Sequence, residues 1–269
     1  MATPIISVRG LTVSYGDHRV LNGVDLDIQS GEVLALLGGS GSGKSTMLRH
    51  IIGLERPQSG TILVRGMDIN RCSPAELKAI RRGMGVAFQG SALFSSMSVE
   101  ENVELPLREL TTLSDPVIEI MTYIKLASVG LGDAGKLFPQ ELSGGMKKRA
   151  AVARATALDP EILVFDEPSA GLDPIVAAEL DELILFLNRA FRMTILIVTH
   201  EMASALRIAD RLAMLYKGSL IAVESKESFV ASTDPRIRQF LDRVPDHIAE
   251  NVSVQRRLRE LAGIEDEQQ

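Results

Sequence analysis

VLALLGGSGSGKSTMLRHIIGL (33–54) is the stretch that decides the fold. Its first residues, VLALL, form an unbroken apolar run of strand length. Its last eleven, KSTMLRHIIGL, place apolar residues at helical spacing. Between them, GGSGSGKST (38–46) contains the pattern G-x-x-x-x-G-K-[ST], with Gly38, Gly43, Lys44 and Ser45 in the fixed places. Glycines let backbone N–H groups close around a phosphate chain, and the following helix aims its partly positive N-terminus at the anion. At ordinary residue usage the pattern arises by chance about once in a hundred chains of this length. Its place between a strand pattern and a helix pattern leaves an idle Gly/Ser loop as a minor alternative.

Gly38, Gly39, Ser40, Gly41, Ser42 and Gly43 are therefore expected to cradle phosphates. Lys44 is expected to neutralise β/γ oxygens, Ser45 to place its hydroxyl on Mg²⁺, and Thr46 to bond the α-phosphate.

Outward from this stretch, short apolar runs alternate with helical patterns, as in a mostly parallel sheet covered by helices. ISVRGLTVSY (6–15) and VDLDI (24–28) alternate with period two, as half-exposed antiparallel strands do, and TILVRGMDI (61–69) continues that region. MGVAFQ (84–89), EILVFDE (161–167), MTILIVTH (193–200) and RLAMLYKG (211–218) read as further strands. From about 90 to 157 the pattern is mainly helical, so a helical insert interrupts the α/β core. There is no internal repeat and no low-complexity tract.

The tail, 234–269, follows the last core strand. Pro235 and Pro245 each suit the opening of a short helix, and Ile248, Val252, Leu258 and Leu261 give a partial apolar stripe. A solvated helical tail and a docking arm both fit this pattern.

The chain has 269 residues, 45% of them hydrophobic, enough for one large domain or two small ones. The net charge is −6 with no long basic run, which argues against a general affinity for nucleic-acid phosphates. The single cysteine, Cys72, excludes an internal disulfide framework and suits a reducing compartment. MATPIISVRG lacks the pattern of a secretory signal. The longest apolar runs fall far short of the roughly 18 residues that span a bilayer. A soluble chain is expected, with membrane work requiring a partner.

ILVFDEP (162–168) is an apolar strand ending in Asp166 and Glu167. Successive strand side chains point to opposite faces, so the two carboxylates take separate roles. Beside a phosphate loop, Asp166 suits Mg²⁺, directly or through water. Glu167 suits orientation and deprotonation of an attacking water.

Tyr15, GGSGSGKST, Gln89 in AFQGSALF, LSGGM (142–146), ILVFDEP, SAGLDP (169–174) and His200 in VTH stand in one order along the chain. In them, nearly all of residues 5–230 resembles the nucleotide-binding subunit of an ABC transporter. The resemblance implies an α/β fold: a P-loop NTPase (RecA-like) core with an antiparallel β subdomain and an inserted α-helical subdomain. It implies an ATPase domain over 1–233, with the helical subdomain at about 90–157, and a helical extension over 234–269.

The resemblance further implies a homodimer that buries two ATP molecules head to tail, each touching the phosphate loop of one chain and the LSGG loop of the other. Ser143 would donate its hydroxyl to the γ-phosphate, and Gly144 and Gly145 would offer backbone N–H at a helix N-terminus. Tyr15 would stack on adenine. Gln89 would sense Mg²⁺ and the water, and its loop would press on the partner that moves substrate. Asp173 would lie across the dimer interface and help position the water. His200 would hydrogen-bond the γ-phosphate and steady Glu167. ATP and Mg²⁺ are the implied cofactors, and the reaction is phosphoryl transfer to water. His18, His50 and His247 lie in no such constellation and read as structural or surface residues.

The fifth letter of LSGGM is usually glutamine in this family. Here it is Met146, which the phosphate chemistry of Ser143, two glycine backbones and a helix end tolerates. ELSGGMKKRAAVARA, AFQGSALF and DPRIRQFLD together are similar to the ATPases of phospholipid transport across the Gram-negative envelope, the maintenance-of-lipid-asymmetry or toluene-tolerance systems. That similarity implies an integral membrane permease, a substrate-binding protein with an MCE domain and a small cytoplasmic STAS-domain protein as partners. It places the chain at the cytoplasmic face of the inner membrane, held there by the permease. An ATPase of a solute importer and a non-transport ATPase of the cell-division kind remain open. A DNA-maintenance type is disfavoured because Ser45 to Ser143 contains no heptad run, and a translation type because there is one ATPase unit.

Overall fold

The computed structural model describes residues 3–244. In chain order the strands and helices are β1 (Ile6–Tyr15), β2 (His18–Ile28), β3 (Val33–Leu37), α1 (Lys44–Ile51), β4 (Ser59–Val64), β5 (Met67–Asp68), α2 (Pro74–Arg82) and β6 (Met84–Ala87). Three helices follow, α3 (Val99–Leu110), α4 (Asp115–Ser128) and α5 (Gly144–Ala155). Then come β7 (Ile162–Asp166), α6 (Pro174–Phe191), β8 (Thr194–Val198), α7 (Met202–Ile208), β9 (Arg211–Tyr216), β10 (Ser219–Ser225), α8 (Lys226–Val230) and α9 (Pro235–Leu241).

The strands form two sheets. One is antiparallel, in the order β2-β1-β4-β5; the other runs β10-β9-β3-β8-β7-β6. In the second, β9-β3-β8-β7-β6 are all parallel and only β10 is antiparallel. The five residues of β3 and the five of β8 are all buried, because both faces of this sheet are covered. Along β7 and β8 the side chains divide by alternation. Leu163, Phe165, Ile195 and Ile197 join a core with α3, α5 and α6. Ile162, Val164, Leu196 and Val198 join another with α1 and the antiparallel sheet.

The parallel register sets the site. Leu36 pairs with Val198 and Asp166 pairs with Val198, so β3, β7 and β8 end together. The loops leaving those ends carry the phosphate loop, Glu167 and His200.

The helical insert is fixed by its caps. Ser98 and Glu101 form a capping box at the start of α3. The buried Asn102 amide accepts from Phe94 N and donates to the carbonyls of Phe94, Met97 and Ser98. Residues 90–98, expected in the helical region, thus form an ordered loop leading into α3.

Three further elements differ from expectation. β2 begins at His18 rather than near Val24, its alternation interrupted by register shifts against β1. α2 follows Ser73, which forms a capping box with Glu76 ahead of Pro74 at the first helical position. β10 pairs back on β9 across a tight turn at Lys217 and Gly218.

The chain divides into two compact units after Phe229. In the second, α9 is capped by Asp234, whose side chain accepts from Arg236 N. The helix expected from Pro235 forms; the one expected from Pro245, and the stripe of Ile248, Val252, Leu258 and Leu261, lie outside the described residues. No helix among the described residues is long and apolar enough to cross a membrane.

Candidate nucleotide site

The phosphate loop leaves the end of β3 and closes onto the start of α1, where Met47 N bonds Gly43 O at 2.8 Å. Glycine is required at Gly38 because a Cβ there would stand 2.3 Å from Leu215 O. Gly43, at φ 105°, has Leu21 and Val20 against it. No side chain caps α1 and no acidic residue lies in its first turn, so its N–H groups face the loop unneutralised. Lys44 is buried and donates to Gly38 O at 2.8 Å and Gly39 O at 3.1 Å. Burial holds its ammonium below the usual lysine range, and the carboxylates of Glu167 and Asp166 oppose that shift. Ser45 is exposed on the first turn of α1. Thr46 O receives His50 Nδ1 at 2.8 Å, so His50 is a buried structural residue of α1, as read from sequence; His18 is exposed and His247 lies outside the described residues.

The two carboxylates do not diverge as strand alternation predicts. Asp166 is the last residue of β7, but Glu167 has left the strand with φ 50°, in the left-handed region. Both act electrostatically on Lys44 and on Lys148. Asp166 Oδ1 is buried without a protein partner. Its carboxyl is pushed up by burial first and by Glu167 second, against the pull of Arg49, Lys44 and Lys148.

Glu167 is buried and held from several sides. Its N–H donates to Val198 O at 2.8 Å. Its Oε2 accepts from Thr199 Oγ1 at 3.3 Å and His200 N at 3.4 Å, and lies 2.8 Å from His200 Nδ1. Those contacts fix the carboxylate plane through Oε2 and do not involve Oε1.

Ser143 is the N-cap of α5, its Oγ accepting from Met146 N at 3.2 Å. A hydroxyl that accepts a cap bond keeps its own proton to donate. Ser143 and Gly144 are exposed, open to a ligand from outside this chain. A Cβ on Gly145 would stand 2.6 Å from Val176 Cγ1, so this glycine lets α5 approach α6. Met146 packs, half-buried, against the core around the helical insert.

Tyr15, at the end of β1, is 50% exposed and donates its hydroxyl to Glu55, leaving the ring face open. Asp173 caps α6, with Oδ1 accepting from Ile175 N at 3.0 Å and Val176 N at 3.1 Å. Gln89 is exposed, and its backbone carbonyl accepts from Lys148 Nζ. The structure thus gathers the phosphate loop, Asp166, Glu167 and His200 at the C-terminal ends of β3, β7 and β8. Ser143, Gly144 and Asp173 instead sit at exposed helix starts.

Sequence reasoning passed over three residues. Lys148 also donates to Glu167 O at 3.2 Å. Arg154, on the last turn of α5, donates to Ala92 O at 2.7 Å and Ser91 O at 3.0 Å. Glu55 anchors Tyr15. Nothing in MKKRAAVARA (146–155) sets Lys148 and Arg154 apart from ordinary helix-surface cations.

The sequence model of the family described as "ABC transporter" matches residues 21–170. The chain is 47% identical over 237 residues to the probable ribonucleotide transport ATP-binding protein mkl of Mycobacterium leprae, covering 88% of this chain and 68% of that protein. It is 41% identical over 242 residues to the intermembrane phospholipid transport system ATP-binding protein MlaF of Escherichia coli K12, covering 90% of each. Among solved structures, the dimeric post-hydrolysis state of the ATP-binding cassette MJ0796 bound to ADP and Pi superposes with a TM-score of 0.76. It is 32% identical and covers 82% of this chain and 98% of that one.

Proposed function

We infer, from the premise that this chain belongs to the ABC transporter family and is a P-loop ATP hydrolase, that it powers phospholipid transport between the inner and outer membranes of a Gram-negative envelope. The observation that carries the lipid reading is the match to the phospholipid-transport protein over 90% of both chains. A second reading, the ATPase of a solute importer, is favoured by the higher identity to the ribonucleotide-transport protein.

The chain works as one half of a homodimer. The phosphate loop of one copy and Ser143, Gly144 and Gly145 of the other enclose each ATP, and Tyr15 stacks on the adenine. Closure is then a population shift driven by the higher affinity of the closed pair for ATP. Lys44 exchanges its bonds to Gly38 and Gly39 carbonyls for β/γ oxygens. Glu167 Oε1 takes a proton from the water that attacks the γ-phosphate, while His200 and Thr199 hold Oε2. Asp173 helps place that water from across the interface. Positioning and charge do the work, since phosphoryl transfer needs no covalent step from the protein.

The donors suit Mg²⁺. Asp166 Oδ1 is an unpartnered buried carboxylate oxygen, and among the described residues there is no group of three or more His, Cys, Asp or Glu that could hold a metal. A cation held by one carboxylate, the Ser45 hydroxyl, Gln89, phosphate and water is what Mg²⁺ chemistry favours. Held by these residues, Mg²⁺ would supply positive charge to offset that of the phosphates.

An apolar groove of about 590 Å³ lies beside the Gln89 loop, lined by Phe88, Phe94, Leu105, Pro106 and Leu110, with Arg154 at its wall. It suits an apolar segment of an integral membrane permease, which holds the chain at the cytoplasmic face of the inner membrane. A STAS-domain protein and an MCE-domain protein complete the assembly. Affinity purification from detergent-solubilised membranes tests this reading. Recovery of an MCE-domain protein with phospholipid supports it. A periplasmic solute-binding protein without lipid would replace it with the importer reading.

A further inference from the structure

The helix that begins at Ser143 is tied to two loops of its own chain. Lys148, on the second turn of α5, donates to Gln89 O and to Glu167 O, the latter at 3.2 Å. Arg154, six residues on and therefore about 9 Å further along the axis, donates to Ser91 O and Ala92 O. Ser91 and Ala92 both have positive φ, 63° and 49°. The loop that carries Gln89 is gripped at two points by one helix.

Glu167 needs such support. A non-glycine residue in the left-handed region costs on the order of 1–3 kcal/mol and persists only where its surroundings fix it. Its N–H is held by Val198 O, and its carbonyl accepts from Ala170 N at 3.3 Å as well as from Lys148. Lys148 thus adds a second link, after that to Val198 of β8, between the backbone of Glu167 and another element. Its half-buried ammonium also faces the carboxylates of Asp166 and Glu167.

We propose that Lys148 is a positioning residue for ATP hydrolysis, setting Glu167 and Gln89 relative to the helix whose first turn carries Ser143. Because α5 starts at the residue that meets nucleotide bound to the other copy, a shift of this helix would move the hydrolytic groups of its own site. The role needs a donor at the end of a long side chain.

The inference rests on the ATPase activity, so the wild-type full chain in its membrane complex is the reference. Its failure to hydrolyse ATP would overturn that activity rather than the role of Lys148. The test compares Lys148→Arg, Lys148→Gln and Lys148→Met in that complex, measuring kcat, KM for ATP and thermal unfolding of the purified chain. Lys148→Met keeps an unbranched stem, one atom shorter, and loses every donor. Its kcat should fall at least tenfold with KM changed less than threefold. Lys148→Arg should stay within threefold of wild type, and Lys148→Gln, with a shorter donor, should fall between. A Met variant within threefold of wild type overturns the proposal. So does a loss that Arg does not restore, or one in which KM rises in step with the fall in kcat. If the Met variant fails to fold, Gln against Arg decides: Gln slower at unchanged KM supports the role, and Gln equal to wild type overturns it.

Discussion

His200 Nδ1 lies 2.8 Å from Glu167 Oε2, and the same oxygen accepts from Thr199 Oγ1 and His200 N. One carboxylate oxygen takes all three contacts, and on the proposed reading the other meets the water. Glu167→Gln keeps an acceptor for these donors but cannot take up the proton. Hydrolysis by the variant should drop about 10²–10⁴-fold, the usual worth of a general base. ATP affinity, measured by equilibrium binding, should stay near that of wild type. Near-normal turnover would remove Glu167 from the mechanism.

On the proposed reading, Asp166 sets binding of Mg²⁺ against stability. Burial raises its folded pKa above the ordinary 3.8, so the native state holds this proton more tightly than the unfolded chain. The stabilisation from that proton is full below pH 3.8 and is lost as pH rises through the raised value. Asp166→Asn removes the buried charge. In urea titrations of the nucleotide-free chain it should be more stable than wild type at neutral pH by about 0.5–1 kcal/mol, with the advantage shrinking toward acid. Its Mg²⁺-dependent ATPase should collapse. A variant less stable than wild type at neutral pH would mean that Lys44, Lys148 and Arg49 outweigh the burial.

Gly85 lies where β6 meets the end of α5. A Cβ there would stand 2.1 Å from Ala155 O and 3.0 Å from Leu163 Cδ1. Backbone cannot yield as a side-chain tip does, so Gly85→Ala should destabilise by about 1–3 kcal/mol. Chemical denaturation reads this directly. A change under about 0.5 kcal/mol, the range of ordinary surface substitutions, would mean that β6 and α5 sit further apart.

Met146 supplies its backbone N–H to the Ser143 cap and its side chain to the core. Met146→Gln should leave the ATPase rate within tenfold, or about 1.4 kcal/mol in barrier, while lowering thermal stability modestly. A larger loss of rate with unchanged stability would assign the fifth letter of this loop a contact with nucleotide.

The site was legible where chemistry demands a fixed pattern. The spacing of Gly38, Gly43, Lys44 and Ser45 and the apolar run before Asp166 located a phosphate loop and a carboxylate pair. What escaped depends on backbone geometry or long-range pairing. The left-handed turn at Glu167 breaks the alternation that would have parted it from Asp166, and nothing in D-E-P announces φ 50°. β10 gains its partner only from the turn after Tyr216, and β2 runs through register shifts that hide its period. The start of α2 was readable, since Ser73 and Glu76 stand three apart with Pro74 between them. Lys148 and Arg154 look like solvated helix charges until the fold lays the Gln89 loop across them.

The central claim is that each ATP is shared between the phosphate loop of one copy and the Ser143 corner of the other. The most direct measurement is ultraviolet photocleavage of the assembled full-length transporter trapped with MgATP and orthovanadate, with the cut sites mapped by mass spectrometry. The account predicts cleavage both within 38–46 and within 142–146, since one vanadate would touch both. Cleavage confined to 38–46 in a fully trapped sample would contradict it.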